Sequence, residues 1–249
     1  MFHGLYEALS GAVGQETKLD IITNNLANAG TPGYKRDFVP FQTELHRAVK
    51  SGQAGPADRR YADPEGSYTD FSPGSVVSTG NPLDVALLGD GFLVVQSPGG
   101  VRFTRQGNLK LDTEGNLVTS GGHGVLGGGG PINLQEAIDN GLPIQIDASG
   151  AVTAGDTQVD TLRIAKPAKA KDLLKEGGNL FTVRPGAPAP ADTEDTVVQQ
   201  GALEQGNVNL VSEMTGLIEA NRIFEAYQRV IQAVDEATGK ATNEIGRVA

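Results

Sequence analysis

The chain has 249 residues, enough for one large domain or two smaller ones, with 34 glycines and only 38% hydrophobic residues. A formal net charge of −10, with no clustered run of Lys and Arg, excludes a nucleic-acid backbone or an acidic membrane surface as partner. The absence of cysteine excludes disulfides and thiolate catalysis.

Met1-Phe2-His3-Gly4 opens no basic and apolar leader, and no apolar run approaches the roughly 20 residues that span a bilayer. Passage out of the cytoplasm is therefore expected to use a route without a cleaved signal, and no membrane insertion is expected. The first element is a helix. Met1, Leu5, Ala8, Ala12, Gln15, Leu19, Ile22 and Leu26 alternate steps of four and three, the spacing that keeps one stripe toward a partner helix. Its first half is rich in small residues (Ala8, Gly11, Ala12, Gly14), which allow close approach but bury little area. Gly30 is expected as the positive-φ residue after the helix, and Pro32 stops it and extends Thr31.

An extended arm and loop follow over 34–75. Phe38, Phe41 and Leu45 form either a short amphipathic turn or a strand, and Ser51 to Gly66 reads as a polar loop. From about residue 76 the period changes to two. Strands are expected at Leu83–Leu88, Phe92–Gln96, Val101–Arg105, Val159–Ala165 and Leu180–Val183. Hairpins are expected at Asn108–Thr119, turning at Thr113-Glu114-Gly115, and at Ile144–Thr153, turning at Ala148-Ser149-Gly150. Roughly ten short strands indicate an all-β domain over 76–204. Pro185 to Pro190 reads as a stiff, exposed linker.

A second helix is expected over 205–249, with Asn207 or Asn209 as N-cap. Its seam is drawn through Leu210, Met214, Leu217, Asn221, Phe224, Gln228, Ile231 and Asp235, with Val211, Ile218, Val230 and Val234 off it. So polar a seam suits a helix with neighbours on several sides. Glu225 and Arg229 have the i,i+4 spacing of a favourable pair. The fold class is α+β: the two end helices pair as a coiled-coil-like unit around a central all-β domain, with 1–33 and 205–249 forming the helical part.

No catalytic constellation is present. Gly122-His123-Gly124-Val125-Leu126-Gly127 fits G-x-G-x-x-G, but Gly128-Gly129-Gly130-Pro131 follows where a phosphate-binding helix would have to begin. His3, His46 and His123 are isolated, so no metal site is expected, and Asp112-Thr113-Glu114-Gly115-Asn116 lacks the ligand pattern of a calcium loop. Neither enzyme activity nor a cofactor is expected.

Four blocks together point to a family. Leu19-Asp20, Asn24-Asn25-Leu26-Ala27-Asn28 and Thr31-Pro32-Gly33-Tyr34-Lys35-Arg36 resemble the N-terminal signature of bacterial flagellar rod and hook proteins. Thr79-Gly80-Asn81-Pro82-Leu83-Asp84-Val85-Ala86, Gly89-Asp90-Gly91-Phe92 and Phe103-Thr104-Arg105 are similar to its central segment. Gln200-Gly201-Ala202-Leu203-Glu204, Asn207-Val208-Asn209 and Ile218-Glu219-Ala220 resemble its C-terminal part. Ala29-Gly30 departs from the Val-Asn pair common there. Length resembles the rod proteins more than the longer hook proteins, and the Gly80–Ala86 and Lys175–Phe181 blocks look most like the proximal rod type, with the distal rod or another hook-basal-body axial protein as the alternative.

The resemblance implies a structural subunit exported unfolded through the flagellar type III apparatus. It would assemble helically in the periplasm with copies of itself and other rod proteins, into a torque-transmitting shaft around the export channel. The assembly-interface candidates are Leu19, Ile22, Leu26, Met214, Leu217, Phe224 and Ile231 for packing, with Asn24, Asn25, Asn28 and Arg222 as polar links. The non-flagellar alternative is a secreted β-domain binding protein.

Overall fold

A computed structural model describes residues 2–39, 67–193 and 195–248. The readings at Phe41, Leu45, His46 and Ser51–Gly66 lie outside the described residues. The chain divides into two compact units.

The first unit contains helix α1 (Phe2–Ala27), a short antiparallel pair of β1 (Asp37–Phe38) and β2 (Tyr68–Thr69), and the long C-terminal helix α3 (Leu210–Val248). The two helices pack antiparallel. Gly11 lies against the Tyr227 ring, where an added Cβ would come within 2.4 Å, and Gly216 lies beside Ile22. Glycine and alanine in the N-terminal half of α1 thus do what their size dictates: they let a large ring and a backbone approach. Asn209 caps α3, its side-chain oxygen accepting the Ser212 amide at 3.0 Å while its carbonyl accepts the Glu213 amide at 2.9 Å.

The inward stripe of α3 differs from the seam expected from the sequence. Glu213 and Ala220 are buried, and Gly216, Leu217, Ile223, Phe224, Tyr227, Ile231 and Val234 are half-buried, whereas Met214, Asn221, Gln228 and Asp235 are exposed. The expected seam keeps a strict 3.5-residue spacing. A straight helix turns once per 3.6 residues, so a stripe facing one straight partner drifts off that line. Arg229 and Glu225 both stand exposed, without the ion pair expected between them.

The second unit spans Asn28–Arg36 and Phe71–Val208. Its main sheet runs β14-β15-β6-β5-β9-β8-β7, from Leu173–Lys175, Leu180–Val183, Gly100–Thr104, Phe92–Ser97, Gly124–Val125, Leu117–Thr119 and Leu109–Leu111, and β13 (Ile164–Lys166) pairs with both β5 and β16 (Ala191–Asp192). A meander of β10 (Ile144–Ile146), β11 (Ala151–Ala154) and β12 (Thr157–Thr161), and the pairs β17–β4 (Val197–Gln200, Val85–Leu88) and β18–β3 (Ala202–Glu204, Val76–Ser78), complete the β structure. A one-turn helix, α2 (Gln135–Asp139), closes one side.

Strand β5 is the pivot of the core. Leu93 and Val95 belong to an aliphatic cluster with Val85, Leu117 and Val152. Phe92 and Val94 belong to a second cluster with Phe103 and Phe181. Alternate residues of one strand therefore serve two cores, which only a strand covered on both faces can do. Phe71, Phe92 and Phe181 meet with ring centroids 5.3–5.8 Å apart, so three of the chain's few aromatics are concentrated at one point.

Both expected hairpins are present, pairing Leu111 with Leu117 and Ile146 with Val152. Asp112 and Asp147 organise their turns: Asp112 Oδ1 accepts the amides of Glu114 and Asn116, and Asp147 Oδ1 those of Ser149 and Ala151. Three expectations need correction. The expected strand Val159–Ala165 is broken at Leu162–Arg163, whose amides turn to Gly150 and Leu126. Pro185–Pro190 is a loop inside the β unit, because β16 returns just after it to pair with β13. The strands are also more numerous than ten: β3, β9, β14, β16, β17 and β18 are added, each only two to four residues long.

Candidate assembly site

Within the β unit, residues distant in sequence converge on one buried carboxylate. Glu204, at the end of β18, accepts a 2.6 Å bond from Lys35 Nζ on Oε1 and a 3.3 Å bond from Arg105 Nη1 on Oε2. The Gly74 amide adds a third donor at 2.9 Å. The side chains of Lys35, Glu204 and Arg105 are 1%, 2% and 4% exposed. Charges so buried persist only when paired and hydrogen-bonded; here the pairing and bonding are carried by Lys35 Nζ and Arg105 Nη1 and Nη2, while Arg105 Nε is buried with no hydrogen-bond partner among the described residues. Lys35 also donates to the Ser72 carbonyl at 2.8 Å, and Arg105 to the carbonyls of Leu87 and Gly89. Arg105 further lies 4.9 Å from the centroid of the Phe92 ring, tying the cluster to the aromatic core. Burial pushes the Arg105 guanidinium below its ordinary pKa, while Glu204 pulls it back up.

The Thr31–Arg36 segment is shaped to deliver Lys35 there. Tyr34 N–H donates to the Thr31 carbonyl across Pro32-Gly33, and Gly33 has φ +68°, the signature of a type II turn. Any Cβ on Gly33 would sit 2.3 Å from the Arg105 carbonyl oxygen. The positive φ thus falls at Gly33 and not at Gly30, because the chain leaves α1 by an ordinary turn in which Thr31 N–H donates to the Asn28 carbonyl. Gly33 N–H then donates to the Glu204 backbone carbonyl at 2.7 Å. Asn207 continues the seam: its Oδ1 accepts the Arg36 amide at 2.7 Å, its Nδ2 donates to Ser72, and its backbone amide donates to the Tyr34 carbonyl. Asn207 is therefore a clasp, and Asn209 the helix cap. Lys175 donates to the Lys35 carbonyl at 2.7 Å and lies 3.8 Å from the centroid of the buried Tyr34 ring. The segments entering and leaving the β unit are held together by charge-assisted bonds shielded from water.

The sequence-derived interface candidates fall into three groups. Leu19, Ile22 and Leu26 of α1, and Leu217, Phe224 and Ile231 of α3, are buried or half-buried. Asn24, Met214 and Arg222 are exposed, Met214 at 54%. Asn25 is buried at 1%, its amide gripping the Asp37 backbone from both sides: Nδ2 donates to the carbonyl at 2.7 Å and Oδ1 accepts the N–H at 2.9 Å. It therefore fastens β1 within the first unit, in place of the outward link expected of it. Asn28 is half-buried in the exit turn, accepting from Thr31 through both its carbonyl and its side chain.

Sequence reasoning missed the ion cluster. Lys35, Arg105 and Glu204 all stand in the blocks that carried the resemblance, but their meeting depends on strand pairing. The available signal was charge placed beside buried strand positions.

The glycine-rich motif has a structural explanation. The amides of Gly128 and Gly129 donate to the two oxygens of Asp160, at 3.0 and 3.3 Å. The anion that such a loop favours is the chain's own carboxylate. Among the described residues no cluster of three or more His, Cys, Asp or Glu could hold a metal, and no helix is long and apolar enough to cross a membrane.

Three family profiles match in chain order: "Flagella basal body rod protein" over residues 5–35, "Flagellar hook protein FlgE/F/G D1 domain" over 86–154, and "Flagellar basal body rod FlgEFG protein C-terminal" over 199–244. The chain is 32% identical over 249 residues to the flagellar basal-body rod protein FlgF of Caulobacter vibrioides, covering 100% of both chains. The chain belongs to the flagellar basal-body rod protein family. Within this rod family it is also 34% identical over 255 residues to FlgF of Salmonella typhimurium, with 97% of each chain covered. FlgG of Bacillus subtilis is 31% identical over 264 residues, covering 98% of this chain and 99% of the relative. As a rod protein it is a structural subunit of the flagellar basal body and not an enzyme. The first and last rod-family matches bracket the joint: Lys35 closes one, and Glu204 and Asn207 lie in the other.

Proposed function

We propose that the chain is a proximal-rod subunit that assembles helically with copies of itself and with other rod proteins into the periplasmic shaft between motor and hook. Its two long helices pair in a coiled-coil-like manner as the inner part, surrounding the export channel, and the β unit forms the outer part. It reaches the periplasm through the flagellar export apparatus without a cleaved signal. Torque passes through helix contacts that involve Leu19, Ile22, Leu26, Met214, Leu217, Arg222, Phe224 and Ile231.

The observation that carries this reading is that both helices, already packed on each other, keep further apolar residues outside. Tyr6, Leu9 and Val13 of α1 are 47–69% exposed, and Leu210, Val211, Met214 and Ile218 of α3 are 53–75% exposed. A helix with apolar residues on two sides needs two sets of neighbours. Deletion of residues 2–27 tests it. The expected outcome is a β unit that still folds, a protein missing from isolated basal bodies, and non-motile cells. Normal incorporation of the truncated chain refutes the reading. Labelling a tagged chain in basal bodies separates a proximal from a distal position.

A further inference from the structure

Charge is divided unevenly over the β unit. Between Lys110 and Arg163 the chain has no Lys or Arg, yet it carries seven acids, from Asp112 to Asp160. Over 163–184 the balance reverses, with six Lys or Arg against Asp172 and Glu176. The acidic run folds around β7, β8 and α2. Asn133 Nδ2 donates to the Glu114 carbonyl and Leu134 N–H to the Gly115 carbonyl, which sets the β7–β8 turn against α2. Leu142 N–H donates to the Ala137 carbonyl and Gly155 N–H to the Pro143 carbonyl, which brings the β11–β12 turn to the far end of α2. Glu114, Glu136, Asp139 and Asp156 therefore share one surface, all exposed. Lys110 on β7 is drawn to the Ser120 carbonyl at 3.1 Å.

The basic run forms the opposite edge of the main sheet. Lys169 and Lys171 stand exposed on the loop that leads into β14, and exposed Arg184 follows β15 and donates its Nε to the Lys171 carbonyl at 3.4 Å. Arg102, Arg163 and Lys166 are paired with Glu176, Asp192 and Asp90, whereas Lys169, Lys171 and Arg184 form no ion pair among the described residues. Strands β14 and β7 end the sheet order six steps apart, about 29 Å along the sheet at about 4.8 Å per step. One edge thus holds carboxylates that no cation of the described chain neutralises, and the other holds cations that no carboxylate does.

We infer that the β units of neighbouring copies meet edge to edge, the Lys169–Lys171–Arg184 edge of one against the Glu114–Glu136–Asp139 edge of the next. This rests on the rod reading above and names a contact outside the helices. The second copy is the occupant because of charge complementarity. A chain of net charge −10 repels its copies over most of its surface, and the basic edge is where a carboxylate-rich surface gains by approaching. The chain itself supplies such a surface. At its centre Ile138 and Leu142, 45% and 41% exposed, meet Ala168 and Ala170, exposed beside the two lysines, and the charges form the rim. The two edges differ, so the contact is heterologous and repeats in one direction without closing. Turning one copy around sets acid against acid, so the pairing also fixes the direction of repetition.

Basal bodies from the native organism are treated with a water-soluble carbodiimide. The reagent activates a carboxylate, a touching lysine Nζ attacks it to form an amide, and the reagent leaves as a urea that has taken up the water lost. The expected result is covalent dimers of this chain whose digest joins a peptide holding Lys169 or Lys171 to one holding Glu114, Glu136 or Asp139. Lys169→Glu/Lys171→Glu should lower the dimer yield more than tenfold. Adding Glu114→Lys/Glu136→Lys to that variant restores complementarity in the opposite sense and should recover at least half the yield. All four side chains are exposed, so the variants leave the core untouched. If basal bodies contain the chain but give no dimers, dimers linked elsewhere, or links from this edge to a different rod protein, the edge contact is overturned and the rod assignment stands. Failure of the combined variant to recover the yield overturns the contact too. Absence of the wild-type chain from basal bodies overturns the rod assignment itself.

Discussion

Glu204→Gln is the sharpest test of the joint. The amide keeps the volume and can still accept the Gly74 N–H, but it removes the negative charge that Lys35 Nζ meets at 2.6 Å and Arg105 Nη1 at 3.3 Å. Two cations, each at most 5% exposed, would lose this shared carboxylate. Breaking a buried pair from one side costs about 3–5 kcal/mol. For a chain of this size each kcal/mol lowers Tm by about 2–4 °C, so a fall of roughly 6–20 °C is expected. With no Trp in the chain, tyrosine fluorescence is the natural probe, since Tyr34 is buried within the joint. The control is Glu176→Gln, whose partner Arg102 and own carboxylate sit at the surface; its midpoint should not move beyond error. Lys35→Met combined with Glu204→Gln should cost less than the two singles together, because each single strands a charge that the other removes. Strict additivity, or a Glu204→Gln shift below about 1 kcal/mol, would refute the view that this carboxylate holds the joint.

Gly33→Ala should destabilise by about 1–3 kcal/mol in urea unfolding, since it forces a side chain into positive φ and toward the Arg105 backbone; an unchanged midpoint would contradict this. The turn carboxylates Asp112 and Asp147 are held below the ordinary carboxylate range chiefly by side-chain bonds from Asn116 and Ser149. Depressed carboxylates stabilise fully above their unfolded pKa, and that stability is lost as pH falls through the lower folded values. Tm should therefore hold above about pH 5 and fall progressively toward pH 3, and Asp147→Asn should flatten the fall; a flat wild-type profile counts against it. In the dilute monomer, amides over residues 5–28 should exchange fast, because the inward face of α1 offers mainly Ala8, Gly11, Ala12 and Gly14 in its N-terminal half and Leu19, Ile22 and Leu26 beyond, too little apolar area to offset the entropy of ordering. Strong protection there would sink that argument.

Much of this architecture was legible in the chain itself. Helix α1 and the start of α3 follow from apolar periodicity and from Asn209, and the two hairpins follow from an Asp and a Gly at fixed offsets in each turn. These are local rules, settled by residues within a few positions of one another. The family was legible for a related reason, since four ordered blocks of sequence need no coordinates to match.

Only tertiary structure decided the rest. Asn25 and Asn24 are adjacent and identical, yet one grips Asp37 and the other is exposed, because a single step along a helix rotates a side chain by about 100°. Strands such as β16 and β9, two residues long, exist only because a partner strand satisfies their backbone. Lys35 and Glu204 are 169 residues apart, and nothing local marks either as buried. A lysine near a strand end reads as solvated until the fold supplies a carboxylate, a carbonyl and the exclusion of water. The stretch that stops the first helix was therefore legible as a turn, while its role as the anchor of both chain ends required the whole fold.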